Sequence, residues 1–236
     1  MATKYSYNFS LPKRGKKKIK FIIIHYTGMK KETDAINRLC NPNSKVSSHY
    51  FIKNDGDIIK LVPESYEAWH AGISRWKKFK LLNKHSIGIE IHNPGHNNKY
   101  RNFSKKQISS LIKLLQYLSS KYKIGAKDIL GHSDISPNRK KDPGEKFPWQ
   151  LLAKKKLSFW HCLSNSKIKF YRNSKISLKD EASFFKNLYK IGYCKIKNVD
   201  SSKNRSYLVK AFQRRFRQQL INGKIDKECL LISKSL

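Results

Sequence analysis

The chain has 236 residues, 39% of them hydrophobic, with 12 Tyr, 12 Phe and 4 Trp, enough for a packed core, which excludes wholesale disorder. Its 51 Lys and Arg against 16 Asp and Glu give a formal charge of +35; such a field gathers polyanions of every kind and singles out no partner among nucleic acid, membrane and wall polymer. Cys40, Cys162, Cys194 and Cys229 form no C-x-x-C pair, which excludes a zinc knuckle or disulfide framework and leaves buried free thiols as the expectation.

Residues 1–18 are taken as a basic N-terminal tail, with the run "KRGKKKIK" (13–20) across its end. The "FIII" that follows is too short for a signal-peptide core, and no apolar run approaches a membrane span. "IKFIIIHYTG" (19–28) is a β-branched run closed by glycine, a buried strand with His25 at its end. "SSHYFIKNDGDIIKLVPE" reads as two strands joined at Asn54-Asp55-Gly56, a strong hairpin signal. In "HSIGIEIHN" the alternation puts Ile87, Ile89 and Ile91 on one face, so Glu90 points to the other.

Ser104 with Gln107 forms a capping box ahead of a helix burying Ile108, Leu111, Ile112, Leu115 and Leu118. "AKDILGHSD" is a further strand that runs into the turn-rich loop "GHSDISPNRKKDPG". Strands and helices mix up to about residue 157, as in an α/β domain with a central mixed sheet flanked by helices. Residues 161–176 are polar and poorly periodic, and are expected to be a linker. Residues 177–236 then read as a small three-helix domain. Ser177 and Asp180 open a helix carrying Leu178, Ala182, Phe185 and Leu188, and Gly192 closes it. A second helix carries Leu208, Ala211, Phe212 and Phe216, and Asn222-Gly223 turns into a third.

His25, His132 and Asp142 each lie at a strand end or in a stiff loop, where two imidazoles and a carboxylate are able to form a three-ligand zinc site with an open position. Spacing alone leaves that reading beside the plainer one, in which each is an ordinary polar residue. The order of blocks goes further. "FIIIHYTG", "SSHYFIKNDG", "AWHAG", "SIGIEIHNPG" and "GHSDISPNRKKDPG" resemble the zinc-dependent N-acetylmuramoyl-L-alanine amidases across roughly residues 19–150, which makes 19–160 the expected catalytic domain.

The resemblance implies Zn2+ on His25, His132 and Asp142, an acid at Glu90 and a catalytic lysine at Lys140. It implies peptidoglycan or a muropeptide as substrate, and hence work in the cell envelope, the periplasm or outside the cell, although the lack of a visible leader keeps the cytoplasm open. His49 and His70 are expected either to line the groove or, equally, to sit in the core behind the ligands, Trp69 to pack in the core, and His85, His92 and His96 to lie on the surface. Ser48 stands where some phage members carry a tyrosine. "LYKIGY", "YLVKAFQRRF" and "INGKIDKECL" (about 178–232) resemble a three-helix peptidoglycan-binding module. Two other readings compete. A non-catalytic wall receptor on the same scaffold typically lacks a zinc ligand, and this chain keeps all three. A nucleic-acid binder has only charge and "FQRRFR" in its favour, with no recognisable motif. No specific nucleic-acid partner is therefore expected, and the sequence sets no oligomeric state.

Overall fold

The computed structural model describes residues 2–195 and 202–236. Residue 1 of the basic N-terminal segment and residues 196–201 of the expected helical domain lie outside the described residues. Strands β1 (Ala2–Thr3), β2 (Phe21–Tyr26), β3 (Tyr50–Ile52), β4 (Ile58–Lys60), β5 (Ser86–Ile91) and β6 (Ile129–Gly131) build one sheet in the order β1-β4-β3-β5-β2-β6. Only β3 and β4 pair antiparallel; every other neighbour is parallel. The antiparallel pair is the Asn54-Asp55-Gly56 hairpin, in which Gly56 takes φ +93°. The mixed α/β sheet expected from the sequence is therefore present.

Parallel strands must be covered on both faces, and the isoleucines divide accordingly. Ile22, Ile24, Ile87, Ile89, Ile91 and Ile129 face helix α2 (Lys105–Tyr122) and its Leu111, Leu115 and Leu118. The Ser104–Gln107 capping box closes in both directions at the start of α2. On the other face Phe21, Ile23 and Leu130 meet Phe184, Leu188 and Phe212 in a second cluster. Those last residues come from the C-terminal helices, so the sheet and the helical region share one core. Each such aromatic or leucine burial stabilises by about 1.5–3 kcal/mol.

Besides α2 the described residues form seven α-helices: α1 (Glu32–Cys40) before it, then α3 (His132–Ile135), α4 (Trp149–Lys154), α5 (Asn165–Lys169), α6 (Leu178–Ile191), α7 (Ser202–Phe216) and α8 (Lys227–Lys234). Among the described residues no helix is long and apolar enough to cross a membrane.

Several expectations are corrected. The N-terminal segment is not a loose tail: β1 pairs with β4, and Arg14 is buried, donating to the carbonyls of Glu64, Asn83 and Ser86. The segment 161–176 contains α5 with Ile168 buried. Its polar residues fasten it: Arg172 grips Glu228 with two bonds of 2.7 Å, and the Tyr171 and Ser174 carbonyls accept from Glu228 and Lys227. Polar composition reads as a linker only when those groups face water. In α6 the buried stripe is Phe184, Phe185 and Leu188, whereas Leu178 is 85% exposed and Ala182 is exposed too. All four thiols are free as expected, but only Cys229 is buried. The arginines of "FQRRFR" do not form a basic surface. Arg214, Arg215 and Arg217 are buried; Arg215 pairs with Asp134, and Arg217 with Asp226 and Glu228.

Candidate active site

Parallel register carries the first two site residues together. β2 and β5 run side by side with His25 opposite Glu90, both on the sheet face away from α2. β6, on the other side of β2, ends at Gly131 and hands the chain to α3, which starts with His132. The loop after α3 returns, and the Ser133 N–H donates to the Asp142 carbonyl at 2.9 Å. His25 Nδ1 lies 2.9 Å from His132 Nδ1 and 3.0 Å from Asp142 Oδ2, and His132 Nδ1 lies 3.1 Å from the same carboxylate oxygen. The structure thus brings together the three residues singled out as metal ligands, all of them buried.

The donor set fits a cation. His132 Nε2 faces the Ala71 carbonyl at 3.1 Å, which only accepts, so the proton sits on Nε2 and leaves Nδ1 a bare lone pair. His25 Nε2–H donates to His70 Nδ1 at 3.0 Å, His70 Nε2–H continues to Ser86 Oγ at 3.3 Å, and that hydroxyl donates to the Leu82 carbonyl. Two imidazole lone pairs then converge on a carboxylate with no proton among them. Burial, and then the neighbouring His132, lower the His25 pKa to about 4, so it stays neutral near pH 7. Neutral imidazole nitrogens, each oriented by an outer hydrogen bond, and one carboxylate are the donors a zinc-like dication takes.

Glu90 faces the same cleft, of about 580 Å3, which is also lined by His25, His70, His132, Lys140 and Asp142. Its Oε2 is buried and has no hydrogen-bond partner among the described residues. Burial, then the charge of Asp142, raise its pKa to about 8, with Lys140 pulling the other way. A carboxyl so placed keeps a proton readily and gives it up to a nearby cation's field, a profile typical of functional carboxylates.

The other expectations divide. His70 lines the cleft and orients His25. His49 does not reach it: fully buried, its Nδ1 accepts from the Gly88 N–H at 2.9 Å, and Nε2 lies 3.1 Å from the Tyr66 carbonyl beside Arg14. Ser48 is buried as well, bonded to the Tyr50 carbonyl. Trp69 is not core; it lines the cleft wall and donates from Nε1 to Ser10 Oγ. Of the three histidines expected on the surface, His92 is buried, His85 packs half-buried on Phe79, and His96 lines the cleft. Asp134, which the sequence reading passed over, caps the turn before His132 by accepting from the Gly131 N–H at 2.8 Å. Its signal was the "GHSD" spacing, an acid three residues past a strand end.

Gly88 on β5 is required by the His70 ring. A Cβ there would sit 2.4 Å from the ring's Cγ. Gly88→Ala is expected to push His70 off His25, destabilising the fold by about 1–3 kcal/mol. Denaturation midpoints check this, and an unchanged midpoint would show that the ring has room to move.

Comparison with known proteins gives the arrangement its family. The N-acetylmuramoyl-L-alanine amidase family model matches residues 15–145. The N-acetylmuramoyl-L-alanine amidase AmiD of Escherichia coli (strain K12) is 35% identical over 234 residues, covering 93% of this chain and 82% of AmiD. The 1,6-anhydro-N-acetylmuramyl-L-alanine amidase AmpD of the same organism is 37% identical over 105 residues, 44% of this chain and 55% of AmpD. In structure, AmiD from E. coli, solved with the substrate anhydro-N-acetylmuramic acid-L-Ala-D-γ-Glu-L-Lys, superposes with TM-score 0.82 at 32% identity, over 96% of this chain and 91% of that one. AmpDh3 from Pseudomonas aeruginosa, in complex with anhydromuramic pentapeptide, gives 0.81 at 28%, over 98% and 96%. With half the chain under the family model and AmiD matched along most of its length, the protein belongs to the N-acetylmuramoyl-L-alanine amidase family and is an enzyme of that class.

Proposed function

We propose that the protein is a zinc-dependent amidase that cleaves the bond between the lactyl group of N-acetylmuramic acid and L-alanine, in peptidoglycan or in muropeptides released from it. The observation that carries this reading is the convergence of His25 Nδ1, His132 Nδ1 and Asp142 Oδ2 beside Glu90 in one cleft. AmiD and AmpDh3, with anhydromuramyl peptides bound, support the substrate class. We place the protein's work where that polymer is, in the cell envelope or outside the cell.

When bound, zinc lowers the pKa of water to about 7 and polarises a carbonyl. The chain's own groups then divide the proton traffic and the charge. Glu90 takes the proton of the attacking water and passes it to the leaving L-alanine nitrogen. Its pKa of about 8 belongs to a carboxyl that holds a proton long enough to deliver it. Lys140, also in the cleft, donates to the carbonyl oxygen as negative charge gathers there. The His25–His70–Ser86 chain keeps the His25 Nδ1 lone pair toward the centre and excludes the wrong tautomer. Trp69 offers the flat wall along which a substrate lies.

Purified peptidoglycan, digested with and without chelator and read by mass spectrometry, tests this. The expected products are stem peptides that begin at L-alanine and glycan with unmodified lactyl groups. Chelation is expected to abolish them and added zinc to restore them. Glycan fragments, or release that chelation leaves untouched, would overturn the reading.

A further inference from the structure

Of the three donor residues, Asp142 has the least regular structure around it. His25 ends a central strand and His132 opens α3, whereas residues 136–148 carry neither helix nor strand. A carboxylate ligand has to be held within a few tenths of an ångström of its cation. Something must therefore fix this loop from outside.

Three aromatic side chains do. The Tyr100 hydroxyl donates to the Pro143 carbonyl at 2.7 Å and accepts from the Lys146 N–H at 3.0 Å. Its ring stacks on His96 with centroids 4.4 Å apart and 21° between planes. The Tyr26 hydroxyl, next to His25 in sequence, donates to His96 Nδ1 at 2.8 Å, which leaves His96 Nε2–H to donate to Glu145 at 3.0 Å. Burial would raise the Glu145 carboxyl, but the bond from His96 outweighs it and keeps the acceptor ionised. Gly144 fills the gap between these contacts with φ +83°, and a Cβ there would lie 2.5 Å from the Tyr100 oxygen and 2.9 Å from His96. Each residue from Pro143 to Lys146 is thus touched by the same small group, immediately after Asp142.

We propose that Tyr100, backed by His96 and Tyr26, is a positioning bracket for Asp142 that sets the affinity of the centre for its metal. The proposal rests on the reading of His25, His132 and Asp142 as a zinc site. The bracket spans the cleft wall: Tyr26 extends the strand that carries His25, and Tyr100 holds the loop that carries Asp142. It therefore fixes the distance between two donors that the backbone alone leaves independent.

Tyr100→Phe removes the hydroxyl and keeps the stack. Zinc affinity, measured by chelator competition, is expected to weaken by about 10- to 100-fold, the usual effect of losing a partner behind a ligand. The visible absorption of the cobalt-substituted protein should change with it. Tyr50→Phe is the control. Tyr50 is buried on the sheet face away from His25 and Glu90, and its hydroxyl bonds Glu64 rather than the Asp142 loop; losing it is expected to lower the melting temperature by as much as Tyr100→Phe does, with zinc affinity unchanged. Wild-type affinity in Tyr100→Phe, or equal weakening in Tyr50→Phe, would overturn the bracket while the zinc site stands. A wild-type protein that takes up no zinc would overturn the site, and the bracket with it.

Discussion

Glu90→Gln is expected to reduce kcat by about 100- to 10,000-fold, the range for loss of a general acid–base group, while zinc uptake stays intact because Glu90 is not among the converging donors. The same substitution should make the metal-free protein more stable, in a pH-dependent way. The Glu90 carboxyl titrates near 4.5 when unperturbed and near 8 in the fold, from burial first and the Asp142 charge second. Between those values the unfolded chain has released a proton that the folded chain keeps. Stability is thus lost progressively as pH rises from about 4.5 to about 8, and the loss is complete above 8. Gln mimics the protonated acid and escapes it. Metal-free variant and wild type should therefore match near pH 4 and differ by on the order of 5 kcal/mol at pH 8.5. Denaturant titrations at both pH values check this. A rate close to wild type would assign the base elsewhere, and a pH-independent gap would show that Glu90 is not held protonated.

The parts of this site that the sequence announces are those fixed by local rules. β-Branched runs and two-residue alternation locate β2 and β5, and alternation alone sends Glu90 to the face opposite Ile89. His25 and His132 are legible because each stands where a strand ends. Asp142 is legible as a candidate ligand from the stiff loop that returns it toward His132, whereas the role of Lys140 came from the family resemblance alone. Long-range packing hides the rest. His49 precedes a strand, as His25 ends one, but a buried arginine from residue 14 and a glycine from residue 88 enclose it. His96 gives no local sign of its role, since its partners Tyr26, Tyr100 and Glu145 come from separate segments. Helix α1, which the sequence reading did not assign, supplies part of the cleft wall through Ala35, Arg38 and Leu39. Residues 161–176 mislead for a related reason: their polar groups find partners in and beside α8, far along the chain.

Arg215→Ala is expected to destabilise the whole protein by about 3–5 kcal/mol, the cost of leaving a buried charge without its partner. Arg215 is 1% exposed, as is Asp134. The guanidinium donates to Asp134 at 2.6 Å, to the Ile129 carbonyl at 3.0 Å and to Ser158 at 3.2 Å, and lies 4.1 Å from the centre of the Trp149 ring. Asp134 in turn accepts from the Gly131 N–H and from the Tyr193 hydroxyl, both at 2.8 Å. One carboxylate thus joins α7, Tyr193 two residues past the end of α6, and the turn that presents His132. Its strength as a pair is not the point, since matched apolar residues often stabilise a core equally well; the penalty comes from removing one partner alone. Arg215→Met with Asp134→Asn should accordingly recover part of what Arg215→Ala loses. For a chain of this size the single variant's melting temperature should fall by about 10 °C. Because sheet and helical region share the cluster of Phe21, Ile23, Phe184 and Phe212, that fall is expected in one cooperative transition. Two separated transitions would instead mean that residues 177–236 fold as a unit of their own and that the buried pair only docks it.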